Sequence, residues 1–276
     1  MTSHARAIAA AIALSTCTFS ALATATADAS FSDFKVTLRK LDAAGPDPSA
    51  SFIAFGGTTV FASLSSTGDN MTISDSQNGG SAFGPASASE SNGNSQSAFA
   101  FLAGDVQGAG GAMAEAGAHT TGDAAGLRRD ASSGVLLGEG GPYMSFTLGA
   151  NTVLEVSAIA TVSTTLAPPA AGELEFADAV ANLRLYDTDS SDTQAPTFNL
   201  ESDEYDYDGD LNGSNGSQSA AADLLFYGSA TGDTNGVFVG SLQTSAWSAI
   251  PVPEPTNVAM LLAGLGALVL RRRRAA

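Results

Sequence analysis

The sequence is poor in the side chains on which most catalytic and nucleic-acid-binding sites depend. Its 276 residues include 11 Lys and Arg, two His, one Trp and one Cys, against 28 Asp and Glu, and the formal net charge is −17. Five of the basic residues lie near the ends of the chain, at Arg6 and 271–274. Because binding to a phosphate backbone needs clustered Lys and Arg, this composition excludes a nucleic-acid-binding protein.

The single cysteine, Cys17, lies in an N-terminal segment typical of a secretory signal peptide. A basic start, an Ala/Ile/Leu run at 7–14 and small residues precede the first acidic residue, Asp28. Such segments end at an A-x-A cleavage site. Two overlapping frames end at Ala27 and Ala29, and we predict cleavage between Ala27 and Asp28. The mature chain then has no cysteine, which excludes disulfides, thiol nucleophiles and Cys-ligated metals.

Two other interpretations of this N-terminal segment are a buried helix and a lipobox. A buried helix is disfavoured because charge flanks the apolar run on one side only. Leu14-Ser-Thr-Cys17 places a Leu three residues before a Cys, as a lipidation site requires, but Thr16 is unsuited to the position before a lipidated Cys.

The C-terminal tail has three parts in a fixed order. A Pro-Glu-Pro motif (Val252, Pro253, Glu254, Pro255) precedes the uncharged run 256–270 and a basic cluster (Arg271, Arg272, Arg273, Arg274). A helix over 256–270 rises about 22 Å, whereas a hydrocarbon core is about 30 Å thick. The run therefore predicts a weak transmembrane helix, and the arginines place its end in the cytoplasm with residues 28–255 outside. An amphipathic surface helix is excluded because 258–270 is apolar all round.

This tail closely resembles the PEP-CTERM sorting signal over Val252 to Arg274, with every part present in order. In that family the tail is recognised by exosortase, a transpeptidase-like membrane enzyme of Gram-negative bacteria that produce exopolysaccharide. The resemblance implies transient anchoring in the inner membrane, cleavage near 253–255, and transfer of the remaining chain to the cell surface or extracellular matrix. It implies nothing about what that chain does, because members of the family share this tail but not the domain that precedes it.

Between the two ends, apolar and polar residues alternate with a period of two, which is typical of half-buried strands. The predicted strands are 31–41, 50–55, 58–64, 143–148, 151–166, 173–186, 223–227 and 236–242. Gly, Asn, Asp and Pro turns separate them. This pattern favours a mainly β protein with an antiparallel, jelly-roll-like β-sandwich.

The predicted organisation is a signal peptide at 1–27, a β-sandwich at 28–250 and the sorting tail at 251–276. Residues 65–134 are dominated by Gly, Ala, Ser and Asn, and this composition predicts a flexible region with little order at 68–97. Small-residue strands, or one short helix at 112–116, are alternatives within it. We therefore expect residues 140–250 to hold most of the core.

No catalytic residues are predicted. His4 is removed with the signal peptide, and His119 has no acidic partner at strand or helix spacing. Lys35 and Lys40 are far from the glycines at 108–111, which excludes a phosphate-binding loop for a nucleotide. A glycoside hydrolase needs two paired carboxylates, and no pair stands out.

One acidic segment suggests calcium. Asp208, Asp210 and Asn212 place oxygens at positions 1, 3 and 5 of a loop, with Gly213 at position 6, as in calcium-binding loops. The twelfth position is Ser219 instead of Glu, so the segment is not an EF-hand. The alternative is a solvated acidic loop without metal.

Three functions follow from these observations. The first is a non-catalytic surface or matrix protein delivered through its tail. The second is a calcium-assisted module that binds extracellular polysaccharide, with Trp247, or Tyr205 and Tyr207, as stacking faces. An exposed aromatic strip would favour this module, and a buried Trp247 would weaken it. The third, a secreted hydrolase, requires two acids that converge in a cleft with a raised pKa.

Overall fold

The computed structural model describes residues 23–54, 57–67, 70–79, 83–93, 95–122, 127–137, 144–167, 174–188, 196–207, 210–213 and 216–250. Most of the predicted signal peptide and the whole sorting tail, 251–276, lie outside these residues. The predicted transmembrane helix at 256–270 therefore also lies outside the described residues.

The described residues form fifteen β-strands and no helix. The strands are β1 Thr24–Lys40, β2 Ala50–Ala54, β3 Thr58–Thr67, β4 Met71–Asn78, β5 Ala86–Asn92, β6 Gln96–Asp105, β7 Gly111–Thr121, β8 Arg128–Leu137, β9 Met144–Leu148, β10 Thr152–Leu166, β11 Leu174–Asp187, β12 Thr197–Tyr207, β13 Asp210–Gly213, β14 Gly216–Tyr227 and β15 Thr234–Ala249. Among these residues, no helix could span a membrane.

The strands build two antiparallel sheets. The first sheet has the order β14-β10-β1-β7-β6-β5, and the second has the order β13-β12-β11-β15-β8-β3-β4. The short strands β2 and β9 pair with each other, and β9 also pairs with β15. The two inner faces pack together around one core. The prediction of a mainly β, antiparallel sandwich is confirmed.

Alanines fill one part of the space between the sheets and aromatic rings fill the other. Ala25, Ala27 and Ala29 alternate inward along β1 and are fully buried. A bulge follows, because the pairing shifts between Ser32 and Lys35 and Asp33 has a φ of 52°. An extra residue in a strand reverses its alternation. Phe31 and Phe34 therefore both face the core.

The aromatic part of the core joins distant strands. The ring centroid of Phe34 lies 5.8 Å from that of Phe31 and 6.2 Å from those of Phe83 and Phe238. Phe146 and Phe226 meet edge to face at 5.1 Å. Such pairs are common in cores because ring edges and faces carry opposite partial charges. The cluster fixes β1 of the first sheet against β15 of the second.

The prediction of a flexible region at 65–134 is wrong, because the described part of this segment forms β4, β5, β6, β7 and β8 together with the end of β3. Of the two alternatives for this segment, the short helix at 112–116 is wrong and the small-residue strands are confirmed, since β6 and β7 form there. By composition the small residues predict loops, but in the structure their side chains point alternately inward and outward, with a period of two. Buried alanines point inward from these strands (Ala88, Ala98, Ala100, Ala114, Ala116, Ala118, Ala131). The core is consequently shared by both halves of the chain and not concentrated at 140–250.

Candidate functional site

A row of five outward side chains crosses the exposed face of the second sheet. Tyr205 on β12 lies opposite Phe176 on β11, which lies opposite Trp247 on β15. Trp247 in turn lies opposite Asp130 on β8, and Asp130 opposite Ser65 on β3. Neighbouring strands are about 4.8 Å apart, so the row is a continuous band of side chains. We call these five residues the aromatic row.

The aromatic row faces outward because its neighbours along each strand face inward. Ala177, Ala246 and Ala131 adjoin Phe176, Trp247 and Asp130 in sequence and are almost fully buried. Since successive side chains of a strand point to opposite faces, the larger residues remain on the surface. Phe176 and Trp247 are half-buried, and Tyr205 is 44% exposed.

Trp247 has contacts on two neighbouring strands. Its ring centroid lies 6.2 Å from that of Phe176, with 20° between the two planes. The guanidinium carbon of Arg128 lies over the indole, 4.4 Å from its centroid. Arg128 Nε donates a hydrogen bond of 2.7 Å to Asp130 Oδ1. A cation over an indole is attracted by the negative ring face, so Arg128 and Asp130 together hold Trp247 in place.

An open depression adjoins Trp247 on the same face. It is lined by Ser63, Ser65, Thr67, Arg128, Asp130, Ala131, Ser132 and Ser245. Hydroxyl groups both donate and accept hydrogen bonds, a guanidinium donates and a carboxylate accepts. The depression therefore presents both kinds of partner beside an aromatic surface, an arrangement that suits a ligand rich in hydroxyl groups.

A group of acids lies next to the row, along β11 and β12, and Asp178 is the cross-strand partner of Ser245 in the depression. Asp178 lies opposite Asp203, and Glu201 is nearby. Burial, and then the negative charges of Glu201 and Asp203, raise the pKa of Asp178 from 3.8 to about 6. Its buried Oδ1 accepts no hydrogen bond from any described residue. This group makes one side of the exposed face repel anions.

The raised pKa of Asp178 predicts a pH-dependent stability. Between about pH 4 and 6 the folded chain binds more protons at Asp178 than the unfolded chain does, so its stability falls as pH rises through that window. We expect Asp178→Asn to flatten this fall and to raise the thermal midpoint at pH 7 by about 2 °C, with no gain at pH 4. Asp223→Asn, on exposed β14, controls for the loss of one negative charge. Equal midpoint changes at both pH values would contradict the assignment.

The predicted signal-cleavage residues lie inside a strand. Ala27 is fully buried in β1, and Asp28 points to the outer face of the first sheet. Burial, and then Glu115, raise the pKa of Asp28. Thr26 Oγ1 lies 3.1 Å from His119 Nδ1, and burial lowers the pKa of that imidazole. Cleavage between Ala27 and Asp28 would therefore remove part of a paired strand.

Two of the three predicted calcium residues lie in a β-strand. Asp210 and Asn212 belong to β13, which pairs with β12 through Tyr207↔Asp210 and Tyr205↔Asn212. Asp208 lies outside the described residues. The loop expected here is thus partly a strand, whereas a calcium loop wraps its backbone around one ion. In the described part of the chain, no group of three or more His, Cys, Asp or Glu is arranged to hold a metal ion.

Sequence reasoning had singled out Trp247 and Tyr205 but not the residues around them. Phe176 lies on β11, whereas Arg128 and Asp130 lie on β8, far away in the chain. Only the register of the strands brings them to Trp247. One feature of the sequence could have indicated Arg128, since Arg128 and Arg129 are adjacent in a segment that has few other basic residues. The sorting residues, 252–255 and 271–274, lie outside the described residues.

Comparison with known proteins finds no relative. No protein-family model matches the chain, and no curated protein and no solved structure matches it.

Proposed function

We propose that this chain is an exported, non-catalytic surface or matrix protein, sorted and processed by exosortase through its C-terminal tail. The support is the order of the Pro-Glu-Pro motif, the apolar run 256–270 and the arginine cluster. The run would form a short transmembrane helix that anchors the chain in the inner membrane until cleavage near 253–255. The part of the chain that is exported, which we call the cargo, would be a jelly-roll-like sandwich, because the chain crosses repeatedly between the two sheets.

We propose further that the cargo binds a polysaccharide on the aromatic row. The observation that carries this proposal is Trp247, held by Arg128 and Phe176 beside a depression lined with hydroxyl groups. The C–H groups of a sugar ring pack against an aromatic face, while its hydroxyls need hydrogen-bond partners at the rim. The row and the depression beside it supply both on one face of the second sheet.

Charge favours a neutral polysaccharide. The chain carries a formal net charge of −17, and Asp178, Glu201 and Asp203 lie beside the row. Like charges across an interface disfavour binding, so an anionic polymer would meet repulsion on this side.

The calcium-assisted form of the proposal would need Asp208, Asp210 and Asn212 to hold an ion. The aromatic row lies on β11, β12, β15, β8 and β3 and needs no such ion.

Replacing the indole tests the binding surface. We expect Trp247→Ala to weaken the retardation of the protein in a native gel that contains a neutral β-glucan, with an apparent affinity loss of about tenfold. The same loss is expected with neutral polysaccharide purified from the matrix of the producing cells. The cause is removal of the ring that positions Arg128 beside the depression and contributes apolar surface to the row.

Tyr227→Ala is the matched control. Tyr227 is 61% exposed but lies on β14 of the first sheet, so its removal should leave retardation unchanged. Thermal unfolding of both variants identifies any loss caused by misfolding. Equal retardation of Trp247→Ala and the unaltered protein, with both polysaccharides, would reject the aromatic row as the binding surface.

A further inference from the structure

Asp130 lines the depression with one carboxylate oxygen paired and the other open. Arg128 Nε and Nη2 both contact its Oδ1, at 2.7 and 2.5 Å. Its Oδ2 accepts no hydrogen bond from any described residue. The side chain of Asp130 is 26% exposed. One oxygen of a half-buried carboxylate is therefore held in place and remains accessible to a ligand.

A buried glutamine of the other sheet holds the backbone beneath this carboxylate. Gln96 lies on β6 and is 1% exposed. Its Nε2 donates to the backbone oxygens of Ser65 and Asp130, at 2.7 and 2.8 Å. Ser65 and Asp130 are cross-strand partners, and both line the depression. Since an amide nitrogen carries two hydrogens, Gln96 uses both of them to fix this pair of residues from within the core.

Asp130 differs in its chemistry from the other side chains of the depression. The serine and threonine hydroxyls donate and accept, and Arg128 only donates, so each can pair with a hydroxyl or with an ether oxygen of a sugar. An ionised carboxylate only accepts. It can therefore pair with a free sugar hydroxyl, but not with one whose hydrogen has been replaced by a methyl or acyl group. Among the described residues that line the depression, Asp130 is the only acid.

The held carboxylate is well suited to select a free hydroxyl. Hydrogen bonds to an ionised acceptor are about twice as strong as neutral ones. Because Arg128 and Gln96 fix Asp130 before binding, little conformational entropy is lost when a ligand pairs with Oδ2. A substituted hydroxyl would displace water from Oδ2 without a hydrogen bond in return, which costs affinity.

We infer that Asp130 is the residue that selects the ligand of the aromatic row, and that Gln96 is its positioning residue. The ligand class is a neutral polysaccharide with free hydroxyls, since O-methyl or O-acetyl groups beside Trp247 would leave Oδ2 without a donor. The inference rests on the proposed polysaccharide binding. The alternative is that Asp130 only holds Arg128 over Trp247. Its loss would then weaken the binding of every polysaccharide to the same extent.

Retardation in native gels that contain one of two polysaccharides tests the role of Asp130. The probes are a soluble neutral β-glucan and the same β-glucan after O-methylation. We expect the unaltered protein to bind the unmethylated form about tenfold more tightly. Asp130→Ala should bind both forms alike, because it loses affinity only for the unmethylated form. Asp223→Ala, on exposed β14 of the first sheet, is the matched control for the loss of an acid and should keep the preference.

The outcomes separate this inference from the proposed function. An equal loss of affinity for both forms in Asp130→Ala would overturn the inference and leave the proposed binding surface intact. Equal binding of both forms by the unaltered protein would do the same. If neither form retards the unaltered protein, the proposed polysaccharide binding itself is overturned.

Gln96→Met tests the positioning role, because Met has a similar length but donates no hydrogen bond. We expect the preference for the unmethylated β-glucan to fall severalfold. Thr164→Val is the matched control, since it removes another buried hydrogen bond between the sheets, the 2.8 Å contact of Thr164 Oγ1 with Ser202 Oγ. It should keep the preference even where thermal unfolding shows an equal loss of stability. A folded Gln96→Met protein with full preference, or an equal fall in the control, would overturn the positioning role. Asp130→Ala decides the selection independently of this variant.

Discussion

Replacing Pro253, Glu254 and Pro255 together with alanine is expected to abolish delivery of the protein to the cell surface and to retain it in the inner membrane. From the resemblance to the PEP-CTERM signal we propose that this motif is the recognition element for exosortase. Proline also cannot continue a helix N-terminally without loss of a hydrogen bond. With alanines in its place, the apolar helix could lengthen from about 22 Å towards the roughly 30 Å of a full membrane core. The variant is therefore both unrecognised and more firmly anchored.

Pro251→Ala is the matched control for that triple substitution. It removes a proline just before the motif and leaves Pro253, Glu254 and Pro255 in place. Immunoblots of inner-membrane, outer-membrane and medium fractions measure the outcome, and the control should distribute like the unaltered chain. Equal surface yields of the triple variant and the control would reject exosortase sorting through this motif.

Phe34→Ala should destabilise the sandwich by about 3–5 kcal/mol. Phe34 is fully buried, and its ring contacts those of Phe31, Phe83 and Phe238. Truncation removes contacts on both sheets at once and leaves a cavity that the rigid strands cannot close. The prediction applies to the first half of the chain, where the composition alone predicts a poor core.

Urea unfolding of the exported chain measures this loss. Met113→Ala is the control, since Met113 is 44% exposed on β7 and surface truncations usually change stability by less than about 0.5 kcal/mol. A loss below about 1 kcal/mol for Phe34→Ala would mean that the two sheets do not meet at this aromatic cluster.

The sequence predicts strands well where large apolar residues mark the alternation. The expected strands at 50–55, 58–64, 143–148, 151–166 and 173–186 correspond to β2, β3, β9, β10 and β11. It fails where the inward residue is alanine. In β6 the alanines 98 and 100 are buried while Phe99 and Phe101 face outward, and in β7 buried alanines alternate with Met113, Glu115 and His119. A hydropathy pattern does not identify the inward face of such strands.

The acidic residues 201–207 form a strand where a loop is predicted. Residues 201–207 carry many carboxylates, and repulsion among them predicts a loop. In the structure they alternate across β12, with Ser202, Glu204 and Asp206 turned inward. Burial of acids on an inner face runs against the usual preference, so no sequence pattern would have predicted it. This inward face has a polar partner across the sandwich, since Ser202 Oγ lies 2.8 Å from Thr164 Oγ1 on β10.

The candidate site was predictable only in part. The aromatic side chains Trp247 and Tyr205 could be named from the sequence because exposed rings are common in binding surfaces. Their alignment with Phe176 depends on the register of β11 against both β12 and β15. Register depends on long-range pairing, which local patterns do not specify.

Intact-mass analysis of the protein taken from the surface of the producing cells tests the central proposal most directly. Export and exosortase processing predict a chain that has lost its signal peptide and ends near 253–255, with the mass of any group added at the new C-terminus. A surface protein whose mass still includes the apolar run 256–270 and the arginines 271–274 would contradict the proposal.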